Sequence, residues 1–359
     1  MSVPQASTRP TSLVTDLPMT TQTPPTKNHQ PSQAGQSLIG VPGWIITDGK
    51  AGMIVQAQGI ADALGLQSIA KVVSPTGLWR MGAPWISVNP AEKFGAPGSQ
   101  FAPPWPRVAI ATGRSAIPYI RALKRHAGNE TFTVILQDPK TGASSADMIW
   151  VPHHDTRRGP NVATTLTAPH SFSEDRLTAL RARLPKDIQD LPSPRVAVIL
   201  GGKNAVYKFT QEDDERFEAS LRSLAALGAS FLVTPSRRSH QRLIHAADTA
   251  TASAKRIIWN GEGHNPYAEF LAAADILIVT ADSVNMCGEA CATGKPVFVF
   301  SPSGGSPKFT RFHEGLRAHG ATRPLPRKFD AVTTWTYEPL QSAATIAEQI
   351  RLRYAQSKT

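Results

Sequence analysis

The chain of 359 residues is poor in cysteine, with only Cys287 and Cys291. Two thiols four positions apart on one predicted helix are badly placed for a disulfide, and no cluster of histidine and cysteine completes a metal site. We therefore predict no metal and no cofactor. The two thiols are expected to be reduced and buried, as in cytoplasmic proteins.

Long apolar runs are missing as well, and none approaches the length that crosses a bilayer. The N-terminus lacks the basic start and the continuous apolar core of a signal peptide. Residues 1–37 contain few large apolar side chains and are rich in Ser, Thr, Pro and Gln, so we predict a disordered tail there. The expected location is cytoplasmic, with peripheral contact at the inner face of a membrane as an option.

Acidic residues are outnumbered, since 27 Asp and Glu stand against 38 Lys and Arg and give a formal net charge of +11. Such a balance favours anionic partners, namely nucleic acid, acidic lipid surfaces or phosphorylated small molecules. The basic residues are spread along the chain without an aromatic–basic recognition motif, so nucleic acid is not expected as a partner. A general contribution to solubility explains the charge equally well. The oligomeric state is left unknown.

Nine short apolar runs alternate with amphipathic helical patterns between positions 43 and 301. Continuous apolar runs bounded by Gly, Pro or Asp are typical of strands buried on both faces. Their alternation with helices predicts parallel sheets with right-handed crossovers. The alternation restarts after a Pro-rich segment, which predicts two doubly wound, Rossmann-like α/β domains over residues 38–190 and 191–340 that face a cleft. A last helix over 341–359 is expected to pack back on the first domain.

Small and polar residues follow the predicted strands of the second half, at the edge where ligands bind in such sheets. Glycines let a phosphate approach the backbone, and exposed N–H groups beside a lysine would neutralise it. Each pattern taken alone also fits an ordinary turn or a solvated side chain. The candidate binding residues of this half are Gly201, Gly202, Lys203, Asn204, Ser236, Arg237, Asp282, Ser283, Asn285 and Glu289.

Glu289 is the candidate that a helix cap does not explain. Asp282 or Ser283 would cap the predicted helix, but Glu289 lies six residues beyond Ser283 and is too deep for a capping box. A sugar hydroxyl is a natural partner for such a carboxylate. The alternative is a surface glutamate, which its small apolar neighbours make less attractive.

The first half shows the same arrangement at its predicted strand ends. A fourth strand end there carries His153, His154 and Asp155, which would form a general base with its orienter. Adjacent residues point apart in an extended chain, which argues against a His–Asp dyad made by direct neighbours. The candidate catalytic residues of the first half are Asp48 and His153. Its candidate binding residues are Gly49, Lys50, Gly52, Arg114, Gln137 and Asp138.

Several motifs, in order along the chain, resemble the mitochondrial fission factor family of the elongated-mitochondria type. They include TDGKAG (47–52), ATGR (111–114), QDP (137–139), GGKN (201–204), GHNPY (263–267) and SPKFTRFH (306–313). The resemblance covers about residues 40–350. It departs from the family at Met53, Ile54 and Val55, where polar residues are expected, and this puts a polar role for that part of the loop in doubt.

The family in turn resembles the two-domain glycosyltransferase B fold. Residues 267–300 are similar to the donor-site segment of the bacterial N-acetylglucosaminyltransferase that makes lipid II. This resemblance implies that Ser283 contacts a donor diphosphate and Glu289 a ribose. It also implies that the turn 201–203 and Arg237 complete the diphosphate site. Fold resemblance does not settle activity.

Three functions are open at this point. The first is an inverting sugar transfer from a nucleotide diphosphate sugar, in which Asp48 or His153 deprotonates the acceptor hydroxyl. The second is a nucleotide-sugar 2-epimerase, with Asp138, Asp155 and His153 around the sugar. The third is a non-catalytic adaptor at a membrane, as plant members are thought to be in mitochondrial division.

The segment from Trp79 to Trp85 bears on the acceptor. Trp79, Arg80, Met81 and Trp85 would suit a lipid-linked acceptor or another acceptor at an anionic membrane surface. A loop of this composition equally often packs on its own domain, with the apolar parts of its side chains covered.

Overall fold

The computed structural model describes residues 37–358, which contain two parallel six-stranded sheets that follow one another along the chain. The tail predicted over residues 1–37 lies outside the described residues, apart from Ser37.

The first sheet has the strand order β2-β1-β3-β4-β5-β6. Its strands are β1 (Pro42–Thr47), β2 (Gln67–Val72), β3 (Val108–Thr112), β4 (Phe132–Leu136), β5 (Met148–Pro152) and β6 (Val162–Thr165). Helix α1 (Ala51–Leu64) and helix α3 (Ile117–Ala127) pack in separate apolar cores on this sheet. The short helix α2 (Gly77–Gly82) follows β2 in the chain.

The second sheet has the strand order β12-β11-β10-β7-β8-β9. Its strands are β7 (Arg195–Leu200), β8 (Ser230–Pro235), β9 (Arg256–Ile258), β10 (Ile276–Thr280), β11 (Val297–Phe300) and β12 (Thr322–Pro324). Its helices are α6 (Gln211–Ala226), α7 (Gln241–Ala250), α8 (Tyr267–Ala273), α9 (Val284–Cys291) and α10 (Pro307–Ala318).

Two segments connect the sheets. Between β6 and β7 lie α4 (Glu174–Arg181) and α5 (Lys186–Gln189), and the apolar side chains of this stretch pack in the core of the second sheet. The last helix, α11 (Ser342–Gln356), returns to the first sheet and packs its apolar face against α1. The domain boundary at residue 190 stays a prediction.

The predicted fold class, two doubly wound α/β domains facing a cleft, is confirmed. Eight of the nine apolar runs form the interior strands, because parallel strands covered by helices on both faces are buried on both faces. The ninth forms β9, an edge strand. Three strands escaped the prediction, and all of them are edge strands: β2, β6 and β12. These three strands pair on one side only, and their sequences lack a continuous apolar run.

The strand order reverses at one place in each sheet, between β1 and β3 in the first and between β7 and β10 in the second. At such a switch point the loops that follow the two strands diverge to opposite faces and leave a crevice at the carboxyl ends. These two crevices are where a ligand would meet the strand ends.

Within residues 37–358 no helix is both long and apolar enough to span a membrane.

Candidate functional site

The loops after β7 and β10 interlock at the switch point of the second sheet. The N–H of Gly201 donates to Thr280 Oγ1 at 2.7 Å, and the N–H of Gly202 donates to Asp282 Oδ2 at 2.9 Å. The prediction that the N–H groups of these two glycines are free for a phosphate is therefore wrong. Their contribution is to the shape of the loop.

Glycine is required at both positions because other atoms occupy the space of a side chain. A Cβ at Gly201 would lie 2.2 Å from Asp282 Oδ1, and one at Gly202 would lie 1.9 Å from the carbonyl oxygen of Arg238. Both distances are far below contact distance, so the backbone of this turn packs directly on its neighbours. The glycine pair therefore brings three loops of the sheet together.

Asp282 is the buried centre of this arrangement, with 4% of its surface exposed. Its carboxylate accepts hydrogen bonds from Gly202 and from Thr280 Oγ1 at 2.6 Å, and pairs with Arg238 at 3.2 Å. Burial raises the pKa of Asp282, while the hydrogen bonds and Arg238 oppose the rise. A carboxylate so occupied holds loops in place and is poorly available to a ligand.

Arg238, which is not among the predicted contacts, is the arginine that reaches this centre. Its neighbour Arg237, the predicted ligand contact, is exposed and has no ion-pair partner among residues 37–358. Ser236 Oγ accepts from the N–H of Arg238 at 3.2 Å, which makes it part of the turn. The sequence shows two adjacent arginines, and only the geometry of the turn shows which of them pairs with Asp282.

Free hydrogen-bond donors lie beside this centre, at the start of α9. Ser283 is the N-cap, and its Oγ accepts from the N–H of Met286 at 3.4 Å. The N–H groups of Val284 and Asn285 find no partner within the described part of the chain. A helix N-terminus with free N–H groups attracts anions.

Lys203 and Asn204 continue this row of donors. Asn204 Nδ2 donates to the carbonyl oxygen of Asp282 at 3.3 Å, which places the turn next to the start of α9. Lys203 is exposed and makes no ion pair with any described residue. The structure therefore brings predicted residues from two strand ends to one anion-attracting edge.

Glu289 lies on α9, half-buried, where it accepts a hydrogen bond from the hydroxyl of Tyr267 at the start of α8. Burial raises the pKa of Glu289 to about 7, although Tyr267 and the positive charge of Arg176 counteract the shift. The ring of Tyr267 contacts Phe172, with the ring centroids 6.0 Å apart, while its hydroxyl is committed to Glu289.

The first-sheet switch point carries Asp48. Its carboxylate packs over Gly113, where a Cβ would lie 2.7 Å from Asp48 Cγ. Asp48 Oδ2 pairs with Lys50 at 2.7 Å, whereas Oδ1 is buried without a hydrogen-bond partner in the described residues. Gly49 adopts a φ of 83°, which glycine permits at no steric cost, and allows the chain to turn there.

A cavity of about 470 Å³ opens at this edge of the first sheet. Residues from several predicted motifs line it, among them Lys50, Met53, Gly113, Arg114, Gln137 and Asp138. Met53, one of the apolar departures from the family pattern, accepts from Thr112 Oγ1 at 3.2 Å and lies 3.6 Å from Gln137 Nε2. Gly52 lies in the first turn of α1, with open space where a side chain would stand.

Two of these lining residues are held by the protein itself. Arg114 donates to the carbonyl oxygens of Met81 and Ala83. Asp138 accepts from Lys140 and from Arg157, each at 2.7 Å. Burial opposes these bonds, which nevertheless lower the pKa of Asp138 to about 2.

His153 is exposed at the end of β5, and no dyad with Asp155 forms. Asp155 instead pairs with Lys308 of α10 at 2.5 Å. The neighbouring His154 is buried against Phe312, and burial lowers its pKa to about 4. Because the Asp155 carboxylate pairs with Lys308, it is not positioned to orient the imidazole of His153.

The two switch points open on the same cleft. Gln56 of α1 donates from Nε2 to Asn285 Oδ1 of α9 at 3.4 Å. Gln56 is 6% exposed, and its Oε1 has no hydrogen-bond partner in the described residues. Asn285, a predicted ligand contact, thus spans the cleft. Within residues 37–358 no cluster of three or more His, Cys, Asp or Glu side chains is placed to hold a metal, and both thiols are free and buried.

Two doubly wound sheets whose switch points share a cleft define an α/β protein suited to bind a ligand between its halves. The chain belongs to the mitochondrial fission ELM1 family, whose sequence model matches residues 51–354. The family resemblance drawn from the motifs is thereby confirmed.

Curated relatives share part of this chain. It is 28% identical to the mitochondrial fission protein ELM1 of Arabidopsis thaliana over 274 residues, which are 70% of this chain and 64% of that protein. It is 31% identical to the uncharacterized protein RP120 of Rickettsia prowazekii (strain Madrid E) over 161 residues, 43% of this chain and 45% of the other. The chain thus spans less than two thirds of the length of these relatives.

Solved structures with a similar chain course include two bacterial proteins. The UDP-GlcNAc 2-epimerase from Neisseria meningitidis bound to UDP-GlcNAc has a TM-score of 0.47 at 9% identity, covering 87% of this chain and 99% of the other. MurG from Acinetobacter baumannii has a TM-score of 0.44 at 15% identity, covering 88% and 93%. Likeness at this level identifies no activity.

Proposed function

We propose that the chain binds a nucleotide diphosphate sugar in the cleft and transfers the sugar to an acceptor hydroxyl. The observation that supports this most is the placement of Glu289. A half-buried carboxylate two turns into α9, hydrogen-bonded by Tyr267, lies on the helix whose first N–H groups are free. A group that is costly to ionise and is retained in a cleft is a functional candidate.

The diphosphate would lie at the start of α9. The N–H groups of Val284 and Asn285 and the ammonium of Lys203 would donate to its oxygens, and Arg237 is free to swing towards it. Glu289 would accept from sugar hydroxyls, with Tyr267 holding its orientation. These groups stabilise a leaving diphosphate without a metal.

Asp48 is the preferred general base over His153. Its Oδ1 is buried and without a partner in the described residues, next to the first-sheet cavity. In the transfer, the bond from the anomeric carbon to the diphosphate oxygen breaks and a bond to the acceptor oxygen forms. The acceptor proton passes to Asp48 Oδ1.

The epimerase alternative loses support from the ion pairs. It needs several carboxylates around the sugar, and the two candidates, Asp138 and Asp155, are engaged by Arg157 and Lys308. The adaptor alternative makes a different prediction, because an adaptor needs neither Lys203 nor Glu289.

A panel of nucleotide sugars with different bases tests the proposal by thermal shift and calorimetry. We expect one of them, at a concentration of 100 Kd, to stabilise the folded protein by about 3 kcal/mol. The melting temperature should then rise by several degrees. Lys203→Ala should weaken that binding about tenfold, since it removes one charged donor. Lys328→Ala is the control, because Lys328 is exposed and pairs with the exposed Asp330.

The binding nucleotide sugar is then supplied with a labelled sugar to candidate acceptors. Label transfer that Asp48→Asn abolishes supports the transferase. If no nucleotide sugar shifts the melting temperature, the proposal fails and the adaptor function is favoured. An isomerised sugar nucleotide as product would favour the epimerase.

A further inference from the structure

Three large apolar side chains stand exposed beside the first-sheet cavity. Leu78 and Met81 of α2 are each 73% exposed, and Trp85, shortly after the helix, is 60% exposed. Residues three apart lie on one face of a helix, so Leu78 and Met81 face the same way. Contiguous apolar exposure of this kind marks interaction surfaces in soluble proteins.

The protein holds this apolar group firmly rather than leaving it on a loose loop. Arg114 donates to the carbonyl oxygen of Met81 at 2.8 Å and also to that of Ala83. The same guanidinium lies 5.5 Å from the ring centroid of Trp85. Arg121 donates to the carbonyl oxygen of Trp85 at 3.0 Å. Exposure is therefore built into the fold.

Positive charge borders these side chains. The basic residues are Arg80, Arg114, Arg121, Lys124, Arg125 and Lys140. Two carboxylates contact this set, Asp147 with Lys124 and Asp138 with Lys140, so a clear excess of positive charge remains. Arg80 and Arg125 are exposed and form no ion pair within the described residues.

A second cavity, of about 520 Å³, opens on the other side of Trp85. Its lining combines cations of α3 with hydroxyl groups of the loop between β4 and β5: Arg121, Lys124, Arg125, Thr141, Ser144 and Ser145. Guanidinium and hydroxyl donors around one space suit a phosphate group. The apolar side chains beside it suit hydrocarbon, so the two features together match the two ends of a phospholipid.

We propose that this surface, defined by Leu78, Met81, Trp85, Arg80 and Arg125 and called the α2 surface, docks on an anionic phospholipid bilayer. The three apolar side chains enter the interfacial region, as amphipathic surface elements do. The arginines meet the negative headgroups. Trp85 also lines the first-sheet cavity, so docking brings the mouth of that cavity to the bilayer; this last consequence rests on the proposed function.

Sedimentation of the full chain with vesicles tests the docking. We compare vesicles of phosphatidylcholine alone with vesicles containing about one third phosphatidylglycerol, the anionic fraction being chosen to give a surface potential that recruits basic patches. The wild-type chain should bind the anionic vesicles and bind the neutral ones at least tenfold more weakly. Leu78→Ser/Met81→Ser should lower the partition coefficient at least tenfold.

A matched double variant, Leu227→Ser/Leu352→Ser, removes two apolar side chains that are 38% and 50% exposed elsewhere, and should bind as the wild type does. Arg80→Ser/Arg125→Ser should weaken binding to anionic vesicles about tenfold. Equal sedimentation of wild type and Leu78→Ser/Met81→Ser, or an equal loss in the control, overturns the proposal. A wild-type dimer that dissociates on Leu78→Ser/Met81→Ser without vesicle binding assigns the surface to a second copy instead. Vesicle binding and nucleotide binding are separate measurements, so either proposal can fail alone.

Discussion

Replacing Glu289 by glutamine is expected to raise the stability of the protein at pH 8 while weakening its binding of the nucleotide sugar at least tenfold. The carboxylate costs free energy in the folded state because burial raises the pKa of Glu289 to about 7. Glutamine has the same shape and still accepts from Tyr267, but carries no charge. Active-site residues often reduce stability in this way.

The pH dependence of stability shows whether the Glu289 carboxylate stabilises or destabilises the folded protein. A group whose pKa is raised by folding contributes stability below its ordinary pKa, and that contribution is lost as the pH rises through the folded value. For Glu289 the loss runs from an ordinary pKa of 4.5 to the folded value of about 7. The unfolding free energy of Glu289→Gln minus that of the wild type should therefore grow by about 2 kcal/mol between pH 5 and pH 8.

Urea denaturation of both proteins at the two pH values measures this difference. Glu348→Gln is the control, because Glu348 is exposed on α11 and pairs loosely with Arg351; its effect should stay within about 0.5 kcal/mol. A Glu289→Gln variant that is less stable than the wild type at both pH values, by the same amount, would show that the carboxylate is structural.

Replacing Gly202 by alanine is expected to cost about 3 kcal/mol or more of folding free energy. Its Cβ would lie 1.9 Å from the carbonyl oxygen of Arg238, a backbone atom that cannot move without displacing the turn after β8. That displacement would also break the pairing of Arg238 with Asp282. The turn next to the start of α9 would shift, so nucleotide binding should fall with stability.

Gly52→Ala is the matched control for this substitution. Gly52 lies in the first turn of α1, and open space surrounds the position of its missing side chain. Alanine there should change stability by less than about 1 kcal/mol, in the stabilising direction that helix propensity favours. Denaturant midpoints that fall equally for the two variants would disprove the close packing at Gly202.

The fold could be predicted from the sequence because the interior strands of parallel sheets have continuous apolar sequences. The prediction missed β2, β6 and β12, since an edge strand faces solvent on one side. No residue of β2 is buried, and Ile69 and Val72 are among its exposed side chains. Such strands are specified by pairing with a neighbour, which a single segment does not reveal.

The sequence indicates where the candidate site lies, but not which of its atoms are free to contact a ligand. The strand ends were identifiable because ligands meet parallel sheets there. The hydrogen bonds from the N–H groups of Gly201 and Gly202 to Thr280 and Asp282 could not be predicted, because they join residues about 80 positions apart. Likewise, two adjacent arginines look alike in a sequence, and only the geometry of the turn shows that Arg238 is the one that pairs with Asp282.

The predicted role of Glu289 as a ligand contact stays a prediction, and the structure adds the surroundings of its carboxylate. Its depth in the helix excluded a capping box, and the structure gives it a partner, Tyr267, and burial that raises its pKa. What the sequence lacked was the environment, since Tyr267 of α8 and the positive charge of Arg176 on α4 come near Glu289 only in the folded chain.

The most direct measurement of the central claim is hydrogen–deuterium exchange with and without the nucleotide sugar that the thermal panel selects. The amides of residues 203–206 and 283–287 should exchange more slowly in its presence, because the free N–H groups at the start of α9 would donate to the diphosphate. Glu289→Gln should remove most of that protection at the same ligand concentration. Binding without protection of these segments would contradict the account and place the ligand elsewhere.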